Sequence, residues 1–437
     1  MKNKTIKTLY IFILLFLVQF SSANAQNLLT MDDVVNIALK NSFDILVARN
    51  TSEIARTNNT AGNAGMLPTL QVSGSGVYAL NNVNQERFDG TKNSYQNNPV
   101  TNLSAAAELS WTLFDGGKMF VTKSKLNEIE ALGEIQFKSR VLETMYQVIG
   151  SYYDIIRQKQ QLKSINEVIN YNRERVLITE TGFNAGSLAK TDLLQAKIDL
   201  NVALENAINQ EYAISAAKKS LNSLLGQSPD IQFEVSDSIP LTYSPDNNVL
   251  TQKLNSSNID ILSFQKNINI AKLTLKENQS AYLPRFDLVG TYNFTQLDNS
   301  ASLLLTNRTY GPQVAGILQI PLYNSGETRR KIAVSKLEVA STELDLKNIK
   351  LQMLTYLQNT LKDFENQRKL LEIETENKAL AKENFEISLE RLRLGQTNSL
   401  EVHLAQEQYV LSCTRLVNFQ YNLKIAETKL KQLVAEY

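Results

Sequence analysis

The chain has 437 residues, a formal net charge of +1, one His and one Cys. A near-neutral chain without a block of basic residues is not expected to bind nucleic acid. The lone His excludes a His-rich metal site and a His-dependent catalytic triad, and the lone Cys excludes an internal disulfide framework. We therefore expect no catalytic residues, no metal and no cofactor.

The N-terminus has the three parts of a secretory signal peptide. Three lysines precede an apolar run from Leu9 to Phe20, and Ala23-Asn24-Ala25 is a small-x-small cleavage site. The apolar run is short for a membrane span, which disfavours an uncleaved anchor. We therefore predict that residues 1–25 are a signal peptide and that the mature chain is exported. No later stretch has the roughly eighteen apolar residues of a transmembrane helix, so the mature chain can cross a bilayer only as β-strands.

The first predicted elements of the mature chain are a helix and a pair of strands. The helix is expected over residues 31–64, and a proline separates it from the strands. Residues 69–80 and 102–113 alternate apolar and polar side chains with a period of two, which predicts strands with two different faces. We place the strand pair at about residues 68–114 and interpret the polar residues 81–101 as a solvent-facing loop.

A long helix and a returning helix follow. Residues 118–185 contain no proline, and about 66 helical residues make a rod of roughly 100 Å. The apolar residues of this helix step by three and four, as in a coiled-coil seam: Leu142, Met145, Ile149, Tyr152 and Ile156. We expect the rod to end at Gly186 and to return over residues 189–226. Residues 227–248, which contain three prolines, are predicted to link the two halves of the chain.

The second half of the chain repeats the first. Pairs offset by 209 residues include Gly117 and Gly326, Gly186 and Gly395, and Tyr212 and Tyr421. A constant offset indicates an internal duplication. We assign residues 26–226 to a first repeat and residues 249–437 to a second. The second is predicted to contain a helix over 249–281, a strand pair at about 284–323 with a loop at 298–309, a long helix over 327–394 and a returning helix over 399–436.

The two faces of the predicted strands differ in chemistry. One face carries aromatic side chains of the kind found at membrane interfaces, namely Tyr78, Trp111, Tyr292 and Phe294. The other face suits a water-filled lumen, with Ser104, Glu108, Ser110 and Asp287. Strands of about ten residues can span a bilayer, but four strands cannot close a barrel, so a membrane-spanning chain must oligomerise. An ordinary sheet packed on helices is the alternative.

Four segments resemble the TolC-like outer-membrane efflux proteins. They are Leu-Phe-Asp-Gly-Gly at residues 113–117, its counterpart Leu-Tyr-Asn-Ser-Gly at residues 322–326, and residues 64–70 and 183–192. The resemblance implies a mainly α fold with some β structure, in a homotrimer of the Gram-negative outer membrane. Three protomers would contribute four strands each to one twelve-stranded transmembrane β-barrel, and the long helical hairpins would form a coiled-coil α-barrel in the periplasm. The implied partners are outer-membrane lipid, a periplasmic adaptor (membrane fusion) protein and an inner-membrane pump.

In this family the two helix turns form the periplasmic tip, where the adaptor docks and the channel opens. The resemblance gives this role to Gly186, Ser187, Leu188 and Asp192 at the first turn, and to Gly395, Gln396, Thr397 and Glu401 at the second. The tyrosine and arginine that latch the gate in the best-studied members are Leu392 and Thr397 here, and the position of an acidic selectivity ring is Leu404. Asp192 and Glu401 are expected either to give a weak cation preference or only to cap the returning helices.

The leading hypothesis is a passive exit duct of a tripartite efflux or type I secretion system, in which an inner-membrane pump supplies the energy. The alternative is a soluble periplasmic coiled-coil scaffold or adaptor, although an adaptor usually carries one helical hairpin and this chain carries two. An envelope enzyme is disfavoured because no nucleophile and base occur in a recognisable pattern. His403 is expected to have a structural role rather than to act as a ligand or a proton switch at the tip.

Overall fold

The computed structural model describes residues 28–436, so the predicted signal peptide lies outside the described residues. In chain order the elements are β1 (Leu28–Leu29), α1 (Met31–Asn41), α2 (Phe43–Asn58), β2 (Thr69–Glu86), β3 (Lys92–Asp115), α3 (Lys118–Asn184), α4 (Lys190–Leu224), β4 (Glu234–Val235), α5 (Asn247–Ser257), α6 (Ile259–Ser280), β5 (Arg285–Asn299), β6 (Thr306–Gln319), α7 (Glu327–Arg393) and α8 (Ser399–Leu433). The long helices α3 and α7 have 67 residues each, and the returning helices α4 and α8 have 35 each. Equal lengths in the two halves are what a duplication produces.

Two compact units make up the described chain, and neither corresponds to one repeat. The helical unit comprises residues 28–48, 139–258 and 353–436, and the strand unit comprises residues 49–138 and 259–352. Each unit therefore takes segments from both repeats, because the boundaries fall within α3 and α7.

The strand unit contains one antiparallel sheet with the strand order β2-β3-β5-β6. β2 with β3 and β5 with β6 form strand hairpins, and β3 pairs with β5 so that Glu108 lies opposite Thr291 and Ala105 opposite Phe294. Directly opposite residues share a face of the sheet, so the alternation continues from strand to strand. The outer strands β2 and β6 each have one edge that no other strand of the described chain covers.

Both segments predicted as loops between strands are at least half strand, so these predictions are wrong in extent. β2 and β3 continue through most of residues 81–101, and only residues 87–91 form the turn. The second connection is residues 300–305 rather than 298–309. A ladder of backbone hydrogen bonds forms whatever the side chains are, and polar side chains can add to it. The hydroxyl of Ser94, for example, donates to the side-chain oxygen of Asn84 at 2.7 Å.

A register shift lies near the end of β3, between Thr112 and Phe114. It places Phe114 opposite Phe286, which lies on the apolar face. Strict alternation from Trp111 would have placed Leu113 there. Such a bulge changes which side chains share a face, and alternation alone does not reveal it.

The helices that precede the strands are broken, whereas we predicted continuous helices over residues 31–64 and 249–281. The backbone leaves the helical region at Ser42 and at Asn258, where ψ is 124° and 125°. Asn258 is buried, and its side-chain amide donates to the carbonyl of Leu433 at 2.9 Å. A polar side chain that bonds to backbone elsewhere favours a helix boundary over a helix interior.

The first of these helices also ends earlier than predicted. α2 stops at Asn58, and residues 60–65 form turns instead of a further helical segment. The turns close at Gly65, whose φ of +80° lies in the left-handed region that glycine tolerates.

The buried face of α3 is wider than the coiled-coil seam that the sequence predicts. Val148, Tyr153 and Ile155 are buried as well as the predicted Ile149, Tyr152 and Ile156. The reason is that α3 is covered on more than one side, by Val34 and Ala38 of α1 and by Leu221 of α4. This cluster forms an apolar core of the helical unit.

Residues 227–248, which we predicted as a linker, contribute to that core. β4 pairs in parallel with β1, and Phe233, Val235 and Ile239 are buried in the same apolar cluster. The hydroxyl of Tyr152 donates to the carbonyl of Leu29 at 3.0 Å. The segment therefore holds α3 and the start of the described chain together, in addition to joining the repeats.

Candidate functional site

The first tip, residues 185–189, is a tight turn between α3 and α4. Gly186 has a φ of +75°, and the N–H of Ser187 donates to the carbonyl of Gly182 at 2.8 Å, which closes the end of α3. Leu188 folds back over Gly182, where an added Cβ would lie 2.6 Å from the Leu188 side chain. A glycine at position 182 is therefore what allows the first tip to fold against its own helix.

The second tip, residues 394–398, has the same backbone turn between α7 and α8. Gly395 has a φ of +67°, and the N–H of Gln396 donates to the carbonyl of Arg391 at 2.8 Å. The carboxylate of Glu401 accepts from Arg391 at 2.5 Å and from the hydroxyl of Thr397. An ionic network therefore holds the second tip.

The two tips share a backbone conformation but not a chemistry. The offset of 209 residues pairs Gly182 with Arg391 and Leu188 with Thr397. In the first tip these positions make an apolar contact, and in the second they both bind Glu401. The tips therefore present two different surfaces to any partner.

One of the two first-turn acids, Asp192, acts as a cap, which is one of the two roles predicted for them. Asp192 accepts from the N–H of Ala189 at 3.2 Å. Glu401 donates its own N–H to the side chain of Asn398 at 3.0 Å, while its carboxylate pairs with Arg391. These contacts support the capping role for Asp192, whereas Asn398 caps the second returning helix. The cation preference stays a prediction.

The other predicted tip residues differ in accessibility. Gly186, Ser187, Gly395 and Gln396 are exposed, and Leu188 and Thr397 are half-buried. At the latch and ring positions of the family, Leu392 is buried among Phe385, Leu389 and Val402, whereas Leu404 is exposed. The turn of each tip is therefore largely exposed.

A buried ionic cluster lies between α3, α4 and the start of α8. Arg175 is 1% exposed, and its Nη1 lies 2.7 Å from Oδ2 of Asp199. Its Nη2 donates to the hydroxyl of Ser399 at 2.8 Å. Nδ1 of His403 lies 3.1 Å from the same oxygen of Asp199. We call these four residues the Arg175 cluster.

The sequence pattern gave no direct sign of this cluster, because an arginine in a polar helix normally indicates a solvated face. Comparison of the two repeats does contain a signal. Arg175 and Asp199 correspond to Asn384 and Gln408, so two opposite charges occur in one repeat only. His403, for which we expected a structural role, is part of the cluster.

The structure brings the predicted polar strand residues to one face of the sheet. Ser104, Glu108 and Ser110 alternate along β3, and Asp287 of β5 lies opposite Thr112 on the same face. Ser104 and Ser75 hydroxyls are 2.8 Å apart. The carboxylate of Asp287 accepts from Thr112 at 2.7 Å and from Nε of Arg285 at 2.8 Å. Such a face can line a water-filled channel, because its polar groups bind one another or water.

The predicted aromatic residues lie on the opposite face. Tyr78, Trp111 and Tyr292 are exposed, and Phe294 is half-buried. Nε1 of Trp111 donates to the carbonyl of Met66 at 3.0 Å. Aliphatic side chains between the aromatic residues are also exposed, among them Leu70, Val72 and Val314. An exposed apolar face of this extent needs an apolar environment or a partner.

Within residues 28–436, no helix combines the length and the apolar character of a membrane span. The same residues contain no group of three or more His, Cys, Asp or Glu side chains placed to hold a metal ion.

Comparisons with known proteins agree with this architecture. The proteases secretion protein PrtF of Dickeya chrysanthemi is 22% identical over 408 residues, which is 92% of this chain and 86% of that protein. The solved structure of the Campylobacter jejuni CmeC outer membrane channel has a TM-score of 0.76 at 17% identity and covers 92% of this chain and 85% of that one. The outer membrane protein VceC of Vibrio cholerae has a TM-score of 0.72 at 15% identity, with 93% of this chain and 96% of that chain covered.

A match to a family model assigns the chain to a protein family. The model described as outer membrane efflux protein matches residues 34–227 and 250–436. The two matches include both helical tips, both pairs of long and returning helices and all four strands of the main sheet. The chain belongs to the outer membrane efflux protein family.

Proposed function

We propose that the chain is the exit duct of a tripartite efflux or type I secretion system. Members of its family are passive channels of the Gram-negative outer membrane, not enzymes. The proposal adds that an inner-membrane pump delivers the substrate and that a periplasmic adaptor connects pump and duct. The duct itself performs no chemistry and provides a continuous aqueous path.

The observation that carries the proposal is the sheet with two unlike faces and two open edges. The exposed apolar face is unfavourable in water and favourable in the hydrocarbon core of a bilayer. An unpaired strand edge is costly in lipid, so β2 and β6 need partner strands. Strands from other copies of the chain supply them when the sheet closes into a barrel. The family is homotrimeric, and three copies with four strands each give twelve strands.

In this arrangement the polar face lines the lumen. Ser104, Glu108, Ser110 and Asp287 then contact water and passing substrate, while Trp111 and the tyrosines lie at the membrane interfaces. Substrate diffuses through the water-filled duct without a covalent step.

The tips are the proposed point of contact with the adaptor. Gly186, Ser187, Gly395 and Gln396 are exposed, and backbone hydrogen bonds close each turn. Adaptor binding would separate the helical hairpins at this end and widen the path. Because the tips differ in chemistry, the adaptor needs two kinds of contact surface.

Membrane extraction followed by gel analysis tests the proposal. The full chain, expressed with its N-terminal segment and a C-terminal tag, is fractionated and run unboiled and boiled on a denaturing gel. We expect an outer-membrane species of trimer mass that changes mobility on boiling. A soluble periplasmic monomer would overturn the proposal and favour the scaffold alternative.

A further inference from the structure

The main sheet has one end that joins helices and one end that carries only turns. α3 begins directly after β3, and α6 ends directly before β5, so both helices join the sheet at the same end of its strands. The turns at residues 87–91 and 300–305 lie at the opposite end. Because the helices of the proposed duct extend into the periplasm, these two turns face the cell exterior, at the exit of the duct.

The polar face of the sheet contains apolar side chains near this exit. The middle of the face carries hydroxyl groups, such as those of Ser75 and Ser104. Val77 and Val100 lie an even number of residues closer to the turns, and the register places Leu297 on the same face. We call Val77, Val100 and Leu297 the exit belt. Apolar side chains gain nothing from lining a wide water-filled lumen, so the exit belt suggests that the exit is not wide.

The opposite, apolar face of the β5–β6 hairpin changes in the other direction. Its last aromatic pair before the turn is Phe294 and Tyr310, which lie opposite each other. The next pair on that face is Gln296 and Arg308, and Nη2 of Arg308 donates to Oε1 of Gln296 at 3.0 Å. This polar pair separates the turn at residues 300–305 from the part of the sheet that contacts lipid in the proposed duct.

The turn at residues 300–305 folds over the polar face. Asn98 of β3 and Ala301 of the turn are 4% and 3% exposed. Nδ2 of Asn98 and the N–H of Ala301 both donate to Oδ1 of Asn299, at 2.8 Å and 3.0 Å. Asn299 lies on the polar face, opposite Val100. The first half of the turn therefore covers the polar face instead of continuing in the plane of the sheet.

The second half of this turn consists of three exposed leucines. Leu303, Leu304 and Leu305 are 82%, 64% and 67% exposed. The N–H of Asn299 donates to the carbonyl of Leu305 at 2.9 Å, which continues the β5–β6 ladder by one step and places Leu305 on the polar face. Three consecutive leucines exposed to water are unfavourable and indicate an apolar contact outside the single chain. We call residues 300–305 the leucine turn.

We propose that the leucine turns of the three copies meet over the lumen and form an apolar constriction at the exit of the duct. The inference rests on the proposed function, because it takes the homotrimeric duct with a polar lumen as given. The partner of each leucine turn is the same turn in the other copies. Lipid is not the partner, since the turn covers the polar face and the pair of Gln296 and Arg308 separates it from the apolar face.

The dimensions of a twelve-stranded barrel allow this contact. Strands about 4.8 Å apart and tilted by about 40° give such a barrel a radius of roughly 12 Å. The leucine turn has six residues, and a loop of that length reaches at most about 10 Å from the ends of its strands. The leucine side chains extend beyond the backbone, so three turns that fold inward can touch at the axis.

The constriction acts by excluding water and not by charge. Residues 299–305 contain no ionisable side chain. A narrow apolar segment loses its water and thereby blocks ions and small polar solutes. The exit belt continues this apolar surface into the lumen. Contacts between leucines are not directional, so a substrate that the pump drives outward separates the turns, and the turns close again behind it.

Disulfide formation tests the contact between the turns. In a Cys413→Ala background, Leu304→Cys places one thiol on each leucine turn. Mild oxidation of the membranes should give a dimer band on a boiled, non-reducing gel, and reduction should remove it. Phe88→Cys is the matched control, because Phe88 is exposed in the other exterior turn. β2 and β3 continue past their last contact with β5 and carry that turn away from the leucine turn, so the control should stay monomeric.

Access to the lumen from outside the cell provides a second measurement. In the same background, Ser110→Cys places a thiol on the polar face near the helical end of the sheet. A polyethylene glycol maleimide that is too large for general porins should label this thiol slowly in intact cells. Replacement of Leu303, Leu304 and Leu305 by serine should raise the labelling rate by about tenfold or more, because a polar turn no longer excludes water from the exit. Asp89→Cys, in the other exterior turn, should label rapidly with or without the serines.

The outcomes separate this inference from the proposed function. The trimer band of the unboiled gel shows that each variant assembles, and the leucine turn is exposed, so its substitutions should not disturb the fold. If the trimer forms but Leu304→Cys gives no disulfide, or Ser110→Cys labels at the same rate with leucines and with serines, the constriction is overturned and the exit duct stands. A chain that is a monomer without any substitution would overturn both.

Discussion

Arg175 is fully buried, and its partners are the carboxylate of Asp199 and the hydroxyl and carbonyl of Ser399. Its Nε has no hydrogen-bond partner among the described residues. Removal of one member of a buried ion pair leaves the other charge uncompensated. We therefore expect Arg175→Ala to lower the free energy of unfolding by about 3–5 kcal/mol. Denaturant unfolding, followed by circular dichroism, measures this change.

Two further variants test whether the loss of stability comes from the unpaired buried charge. Arg175→Met with Asp199→Leu should recover much of the stability, since replacing both members of a buried pair by apolar residues is often neutral. Asn384→Ala, at the corresponding open position, should change the free energy of unfolding by no more than about 0.5 kcal/mol. An Arg175→Ala loss as small as that of Asn384→Ala would show that the ion pair does not stabilise the fold.

The two glycines of the Leu-Phe-Asp-Gly-Gly segment are needed at their positions for different physical reasons. Gly116 has a φ of +74°, and a Cβ there would lie 2.6 Å from the carbonyl oxygen of Ser280 and 2.7 Å from Cβ of Leu283. Gly117 has a φ of +80° but open space around it. The first glycine therefore allows close packing on the end of α6, and the second allows only the backbone turn.

Alanine substitutions distinguish these reasons. Gly117→Ala should cost about 1–2 kcal/mol of unfolding free energy, from the left-handed conformation alone. Gly116→Ala adds overpacking against backbone, for a further loss of about 1–3 kcal/mol. Thermal unfolding of the two variants gives the difference, and equal losses would contradict the packing explanation.

At the scale of elements, the segment between the repeats is held by ion pairs as well as by its apolar residues. Glu234 of β4 accepts from Lys218 at 2.7 Å and from Lys159 at 3.2 Å. Burial raises the pKa of Glu234, but these hydrogen bonds outweigh the burial, so its pKa lies below the ordinary value of 4.5. This carboxylate joins β4 to both α3 and α4.

The lowered pKa gives a pH dependence with a definite sign. A carboxyl whose pKa falls on folding stabilises the fold above its ordinary pKa, and this stability is lost as the pH drops through the folded value. We expect the unfolding free energy to decrease below about pH 4.5, and to decrease less in Glu234→Gln, which removes this titration. Asp237→Asn, at an exposed partner of Lys159, is the control and should behave like the unmodified chain. Identical pH profiles for Glu234→Gln and the unmodified chain would exclude this role.

The helical turns are the second feature at this scale. Gly186 and Gly395 have positive φ values and no atom near an added Cβ, so a larger residue strains the backbone without a clash. We expect Gly186→Val with Gly395→Val to abolish export of a pump substrate and to leave trimer formation and membrane insertion intact. Gly90→Val is the matched control, because Gly90 has a φ of +80° and open space in a strand turn. Unchanged export in the double variant would mean that the tips do not contact the adaptor.

At the scale of the whole molecule, the two faces of the sheet meet different environments in the proposed duct. Val72 is 77% exposed in the single chain, and its neighbour Ser73 lies on the polar face. We expect Val72→Lys to cost about 2–4 kcal/mol in a bilayer and to reduce the heat-modifiable species. Ser73→Lys, which faces the lumen, should have little effect. Equal tolerance of both substitutions would indicate that the apolar face does not contact lipid.

The sequence determined the order of the long helices and of the four main strands, the lengths of the long helices and the residues on each face of the strands. These properties follow from local periodicity, since side chains repeat every two residues in a strand and every 3.6 in a helix. Trp111 and Ser104 therefore lie on the predicted faces, and α3 and α7 end next to the predicted glycines. The duplication was equally visible, because it needs only a comparison of the chain with itself.

Only the tertiary structure decided which surfaces meet. The strand pairing extended β2 and β3 through residues predicted as a loop, because backbone groups pair regardless of side-chain polarity. The burial of Asn258 against Leu433 interrupts a helix that the local sequence alone would continue. Phe233, which lies in a predicted linker, is a core residue. The Arg175 cluster depends on contacts between residues more than 200 positions apart. Local periodicity carries no information about such contacts, since they arise from the packing of one helical hairpin on another.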